Sequence, residues 1–433
     1  TIARGTLQVG EGGSAGSIIG DVVNEGTLAF NRSGSLAVSG AISGSGMLRQ
    51  LGTGTVVLSG LNNYRGGTAI EAGTLSVSAD ANLGDMSGGL AFTAATLSTT
   101  GSFDTGRAVA LASSGRFDVA ANTSLGLLGV VSGSGDLVKA GMGTLKLANG
   151  GNAYGNTFVE AGSLVGNAST ISGRIGNAGE VVFDQIADGT FAGDIGALES
   201  NRGIMIKRGT GELMLAGTSA LDWTIEARSL STAASRFGGN VTIGSGASVI
   251  FDEKADALYA GAITGTGTFK KSGAGTLKLT GDSSSFTGST SITSGVLSVD
   301  GSLGGSISLM HGARLQGKGT LGKLTVATGS LIAPGNSIGT LNVAGDLTLA
   351  AGAIYEVEIA GNGTSDRIAA KGKATLGGAK VAVTALDAQT SYQDGQSYTI
   401  LTADGGIVGA FEPAVFSRSA FLDATLAQGK NTV

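Results

Sequence analysis

The chain has 433 residues, of which 78 are glycine, two are proline and none is cysteine. Apolar residues make up 41% and charged residues 14%, with a net charge of −5. The chain can therefore bury a core, unlike the low-hydropathy, highly charged composition of a disordered segment. There is no basic run suited to nucleic acid, and no apolar stretch reaches the ~18 residues of a membrane helix. Aromatic residues, at 5%, are too sparse for the girdles of a membrane β-barrel. A secreted chain without disulfides must be held by burial and backbone pairing, and it has no crosslink to jam passage through a narrow channel. The opening "TIARGTLQVG" matches the end of a phrase that recurs later. It carries no start methionine or signal segment, so residues upstream of Thr1 are expected.

In chain order, the first unit reads "AFN" at 29, "AISGSG" at 41 and "GTGTVVLSGLNNYRGGTAIEAGTLSV" over 52–77. The second reads "RFD" at 116, "VVSGSG" at 130 and "GMGTLKLANGGNAYGNTFVEAGSLV" from 141. A third, degenerate unit has "VFD" at 182. The fourth has "IFD" at 250, "AITGTG" at 262 and "GAGTLKLTGDSSSFTGSTSITSGVLSV" from 273. The aromatic anchors Phe30, Phe117, Phe183 and Phe251 are spaced 87, 66 and 68 residues apart. The phrase anchors Thr55, Thr144, Glu212 and Thr276 are spaced 89, 68 and 64. These distances are close to multiples of roughly 22, a solenoid period.

Within units the alternation is strict, as in Leu145-Lys146-Leu147, Leu277-Lys278-Leu279 and Val357-Glu358-Ile359. Period two puts aliphatics on one face of a strand. Gly, Asn or Ser ends each run after three to five residues, and no stretch sustains a helical period with caps. A sandwich would show longer strands and aromatic core anchors. A propeller needs four-stranded blades with a recurring signature. Stacked coils of three short strands with glycine turns fit best.

The stretch 52–77 resembles the passenger-associated repeat of bacterial autotransporters. "LIAPGNSIGTLNVAGDLTLAAGAIYEVEIAGNGTSDRIAAKGKATLGGAKVAV" (331–383) and "GQSYTILTADGGIVGAF" (395–411) resemble the pertactin-like C-terminal end of their passengers. The resemblance implies an all-β chain folded as a right-handed parallel β-helix with a C-terminal β cap. It implies a helical stem over residues 1–330 and a cap or autochaperone region over residues 331–433. It also implies type V secretion to the Gram-negative cell surface or beyond, and a translocator β-barrel after Val433. The segments 80–115 and 229–240 fit the repeat poorly; they read as surface loops on a binding face or as degenerate coils.

The candidate chemical motifs are weak. "GDSSS" (281–285) has the look of a serine-protease nucleophile segment, but Ser283 falls in the repeat's turn and His311 is the only histidine. "GARLQGKG" (312–319) lacks the Ser or Thr that must follow Lys318 in a phosphate-binding loop. "DANLGD" (80–85) offers Asp80, Asn82 and Asp85 but no bidentate glutamate for calcium. One histidine and no cysteine exclude ordinary zinc geometry. Asp118, Asp184 and Asp252 recur in every unit, which reads as turn capping rather than paired carboxylates of a glycosidase. No catalytic, cofactor-binding or metal-binding residue is assigned. The expected function is a non-enzymatic adhesin that binds a host-cell surface or extracellular matrix. The alternatives are self-association through polar ladders, a stem presenting an upstream hydrolase, and a polysaccharide-processing β-helix.

Overall fold

The computed structural model describes residues 1–433, which fall into two compact units, Thr1–Leu221 and Asp222–Val433. Each unit is a parallel β-helix, with right-twisted parallel strands crossing over in the right-handed sense. Helix is limited to three short 3-10 turns, Asp80–Leu83, Ala234–Arg236 and Gln389–Ser391.

In the first unit, one sheet stacks Thr6–Val9, Thr27–Phe30, Met47–Gln50, Thr68–Ile70, Leu90–Phe92, Val109–Leu111 and Val131–Ser132, all parallel. A second sheet runs in register from Leu36–Val38 through Thr74–Val77 and Ser114–Val119 to Ile195–Ala197. A third carries Phe103–Thr105, Ser124–Leu127, Thr144–Leu147, Ser163–Gly166 and Glu180–Asp184. Each coil contributes one strand to each sheet, so like positions stack. Val56, Leu75, Leu97 and Phe117 follow one another in register and are all at most 1% exposed. Each such burial contributes about 1.5–3 kcal/mol before chain entropy is set against it.

The second unit repeats this plan. Ser229–Thr232, Ser248–Asp252, Thr268–Ser272, Ser289–Ile292, Ser302–Leu309 and Thr320–Val326 form one parallel ladder. The last two strands are eight and seven residues long, beyond the three to five expected, because each runs through a corner with a register shift between Leu303 and Ser306. Beyond them the coils lengthen. In the strand pairing, Leu324 meets Leu347, Leu347 meets Ala374, and Ala374 meets Ile407. The extra residues form the turn after Pro334, a hairpin closed by the Ile359–Ser365 bridge, and the excursion around Gln389–Ser391. Of the two readings of the poorly matching segments 80–115 and 229–240, the strands follow the degenerate coil, with Val77 pairing with Thr99, Thr99 with Val119 and Thr232 with Phe251. At the end of the chain, Asn431–Val433 folds back antiparallel on Leu401–Ala403 and covers the edge of that ladder.

The recurring S-G-S-G and T-G-T-G phrases have a steric cause. Gly133 and Gly265 lie at φ 121° and 97°, and a Cβ on either would sit 2.1 or 2.2 Å from a carbonyl oxygen of the coil before. Only glycine turns the corner at that spacing.

The aromatic anchors explain a feature that alternation alone does not show. In the next coil, each is followed in register by a buried polar side chain: Gln50 after Phe30, Lys139 after Phe117, Lys207 after Phe183 and Lys271 after Phe251. The Lys139 Nζ donates to the carbonyls of Ala140 and Gly141 at 2.7 Å and Ala161 at 3.0 Å. The Lys271 Nζ repeats this with Ser272 and Gly273 at 2.8 Å and Ser294 at 3.2 Å. Gln50 reaches Gly52 and Gly54 through its amide nitrogen, but its Oε1 is buried without a partner. The ammonium thus ties a corner to the corner of the next coil using backbone acceptors alone.

Arg107 is the other fully interior cation. Its guanidinium meets the Asp80 carboxylate at 3.0 Å and the carbonyls of Gly88 at 2.9 Å and Gly84 at 2.8 Å, and it also donates to the Asp85 carbonyl. Charged donors in such settings make the strong hydrogen bonds, and stripping one partner from a buried pair is costly.

Gln50→Lys should raise stability by about 1 kcal/mol, because it supplies a third donor and removes the orphaned oxygen. Lys139→Met should lower it by about 2–3 kcal/mol. Burial pushes the Lys139 ammonium from 10.5 down to about 8. Between those values the unfolded chain holds a proton that the folded chain releases, so wild-type stability should rise with pH across that window. Lys139→Met should flatten that rise; denaturant melts at several pH values check all three outcomes. In the same assay Arg107→Met should cost about 3–5 kcal/mol.

Candidate functional surface

The strands fix where each candidate residue lies. Ser283 is 3% exposed, and its Oγ accepts the Ile263 N–H at 2.9 Å. Its own N–H donates to the Ser302 Oγ at 3.0 Å. Asp282 accepts from the Ser302 hydroxyl and from the Ser284 N–H at 3.0 Å; these bonds hold its carboxyl down at about 2. His311 donates through Nδ1 to the Thr328 carbonyl at 3.1 Å, and no hydrogen bond joins it to Ser283. The serine is a backbone acceptor, and it lies not in a turn but in a two-residue strand, Asp282–Ser283, that pairs in parallel with Ser302 and Leu303.

The remaining motifs resolve in the same way. Asn82 caps a turn, its Oδ1 accepting the N–H groups of Ser78 and Ala79 at 3.0 Å and its Nδ2 reaching the Gly60 carbonyl at 3.0 Å. Asp85 accepts from Ser87, and the carbonyls of the "DANLGD" turn face the Arg107 guanidinium, which occupies the place a cation would need. "GARLQGKG" contains a strand, Arg314–Gly317, rather than a loop opening a helix.

Asp118, Asp184 and Asp252 differ from the turn caps expected of them. They are the last or next-to-last residues of their strands. Asp184 meets Arg208 at 3.3 Å and Asp252 accepts the Ser272 hydroxyl at 2.9 Å. The corner caps are other residues, which sequence reading missed. Asp136, Asp188, Asp194 and Asp256 each accept, at 2.7–2.8 Å, a backbone N–H of the next coil, from Asn156, Glu212, Thr218 and Thr276. Asn62 and Asn152 accept likewise from the coil before, at Ile42 and Val131. The signal was an Asp or Asn at each corner about twenty residues from its partner, a spacing hidden by unequal coils.

What remains is surface. A shallow depression of about 600 Å³ lies in the first unit beside Asn152, Ser169, Ser172, Arg174, Thr190 and Asp194. Arg174 stands 5.1 Å over the Phe158 ring. A smaller trough of about 280 Å³ runs over the outward alanines Ala69, Ala91 and Ala110. The Asn152 and Ser172 side chains are bonded to their own scaffold. Neither depression brings together a nucleophile, a base and an orienting acid.

Comparison with known proteins agrees with this scaffold. The passenger-associated-transport-repeat family model matches residues 48–77, 137–165 and 269–299. Each match contains Gln50, Lys139 or Lys271 together with the carbonyls it binds. The chain is 42% identical over 159 residues to an extracellular serine protease of Serratia marcescens, covering 35% of this chain and 15% of that protein. It is 32% identical over 196 residues to the adhesin BmaC autotransporter of Brucella suis biovar 1, covering 44% of this chain and 5% of that protein. The matched region is thus a small part of either relative. With the repeats seated on a parallel β-helix, the chain is homologous to the passenger domains of autotransporters, which are displayed on or secreted from the Gram-negative outer membrane.

Proposed function

We propose that this chain is a non-catalytic β-helical stretch of an autotransporter passenger that binds a host-cell surface or matrix component. The carrying observation is Ser283: the one protease-like serine is buried as a backbone acceptor, with no histidine beside it. Similarity to a Brucella adhesin supports the binding role. Contacts would be broad and shallow, along the outward polar rows and corners. A second reading, favoured by similarity to the Serratia protease, makes this stretch the stem for a catalytic domain elsewhere in the protein. A translocator barrel is the expected partner for export under either reading.

Labelled chain should bind epithelial cells or immobilised matrix proteins saturably, with unlabelled chain competing. A folded sample that binds nothing would favour the stem. Hydrolysis of a protein or glycan panel by this chain alone would overturn the non-enzymatic reading.

Residues 331–433 act, in this proposal, as a cap that promotes folding. The fold-back of Asn431–Val433 onto Leu401–Ala403 supports it, because an uncovered strand edge invites pairing with another chain. Residues 1–330 alone should melt earlier and aggregate more than 1–433; equal melting and solubility would sink the cap.

A further inference from the structure

The last coils carry a projecting element that the repeats lack. Ile359 and Ser365 form an antiparallel bridge, and the Ala360 N–H donates to the Thr364 carbonyl at 2.9 Å, closing a short hairpin. Its base is clamped by the following excursion. Tyr398 Oη donates to the Ala360 carbonyl at 2.9 Å, Gln396 Nε2 to the Gly361 carbonyl at 3.1 Å, and the Gly361 N–H to Asp387 at 2.8 Å. The tip is Asn362-Gly363-Thr364, all three exposed, with Gly363 at φ 89°.

Those three residues spell Asn-x-Thr, the acceptor pattern for an N-linked sugar on a surface loop of a secreted protein. The geometry suits that chemistry. The Asn362 Oδ1 accepts both the Thr364 N–H at 3.0 Å and the Thr364 hydroxyl at 2.7 Å. Its amide nitrogen has no protein partner and faces solvent. A sugar there breaks no hydrogen bond. The turn uses neighbours two residues apart, so it can form before the chain folds as well as after.

Four other Asn-x-Ser/Thr triplets fail on one count or another. Asn240 spends its Oδ1 on the Ala262 N–H at 2.9 Å, and the Thr242 hydroxyl is paired with Thr264 at 2.9 Å. Ser124, following Asn122, opens a strand and donates its N–H to Ser102. Asn31 is half-buried beside Arg32, whose guanidinium is tied to the Ser14 and Gly16 carbonyls. Asn167 makes the same turn with Ser169 but is half-buried beside the depression.

We propose that Asn362 is an N-glycosylation site. A transferase would join the Asn362 Nδ2 to the anomeric carbon of a sugar activated as a nucleotide or lipid pyrophosphate. The bond from that carbon to the phosphate oxygen breaks, the pyrophosphate carrier leaves with the bonding electrons, and the amide gives one proton to a base of the transferase. No oxidant or reductant is needed. The sugar covers a hairpin tip whose Asn362 side chain bonds only to Thr364.

Peptide mapping by mass spectrometry of the protein recovered from the cells that make it tests this. The expected result is a sugar-bearing Asn362 peptide, with the Asn122 and Asn240 peptides bare. Thr364→Ala should abolish the modification and Thr364→Ser should retain it, with both variants melting as the parent does. A bare Asn362 peptide in the parent, or sugar retained in Thr364→Ala, overturns the proposal.

Discussion

Parallel strands stacked at about 4.8 Å govern everything else in this molecule. When every coil lies one strand spacing from the next, each residue's nearest neighbour is its counterpart about twenty residues away. Like must pack on like, so Val56, Leu75, Leu97 and Phe117 form one interior row. At the corners the same spacing leaves no room for a Cβ, which is why Gly133 and Gly265 recur at equivalent points. The high glycine content is the consequence of close backbone stacking, not of disorder.

That constraint also creates a problem that the repeat solves chemically. A corner turns carbonyls inward where no strand can pair them, and buried carbonyls without partners are costly. Lys139 and Lys271 answer with a flexible ammonium carrying three donors. Gln50 answers less completely, leaving an orphaned oxygen. On the outer corners, Asp136, Asp188 and Asp256 serve the complementary need by accepting free N–H groups of the next coil. Inside, cations bind carbonyls; outside, carboxylates bind amides. Both sets of side chains bond to backbone of neighbouring coils and so hold the stack together.

Much of this was legible in the sequence. Period-two alternation, short runs ended by glycine and the recurring phrase determined an all-β parallel coil, since only repeated short strands bury that pattern. The spacing of Phe30, Phe117, Phe183 and Phe251 marked the repeat; that all four are fully buried is seen only in the fold. The sequence places "GDSSS" in the repeat's turn, whereas Asp282–Ser283 pairs as a short strand, because backbone pairing there does not depend on a particular side chain.

Tertiary structure decided the rest, for reasons of register. Lys139 alternates in step with the buried Leu137, but only its stack on Phe117 shows that a charged side chain lies inside. Asp80 and Asp85 read as turn residues, but the sequence does not show that Arg107, two dozen residues away, fills their turn. The segments 80–115 and 229–240 read from sequence as surface loops or degenerate coils; backbone pairing needs no particular side chain, and they coil. The true excursions, after Pro334, at Asn362 and around Gln389–Ser391, lie within the stretch that most resembled a known passenger end. Alternation determined which residues alternate, and stacking decided which of them face one another.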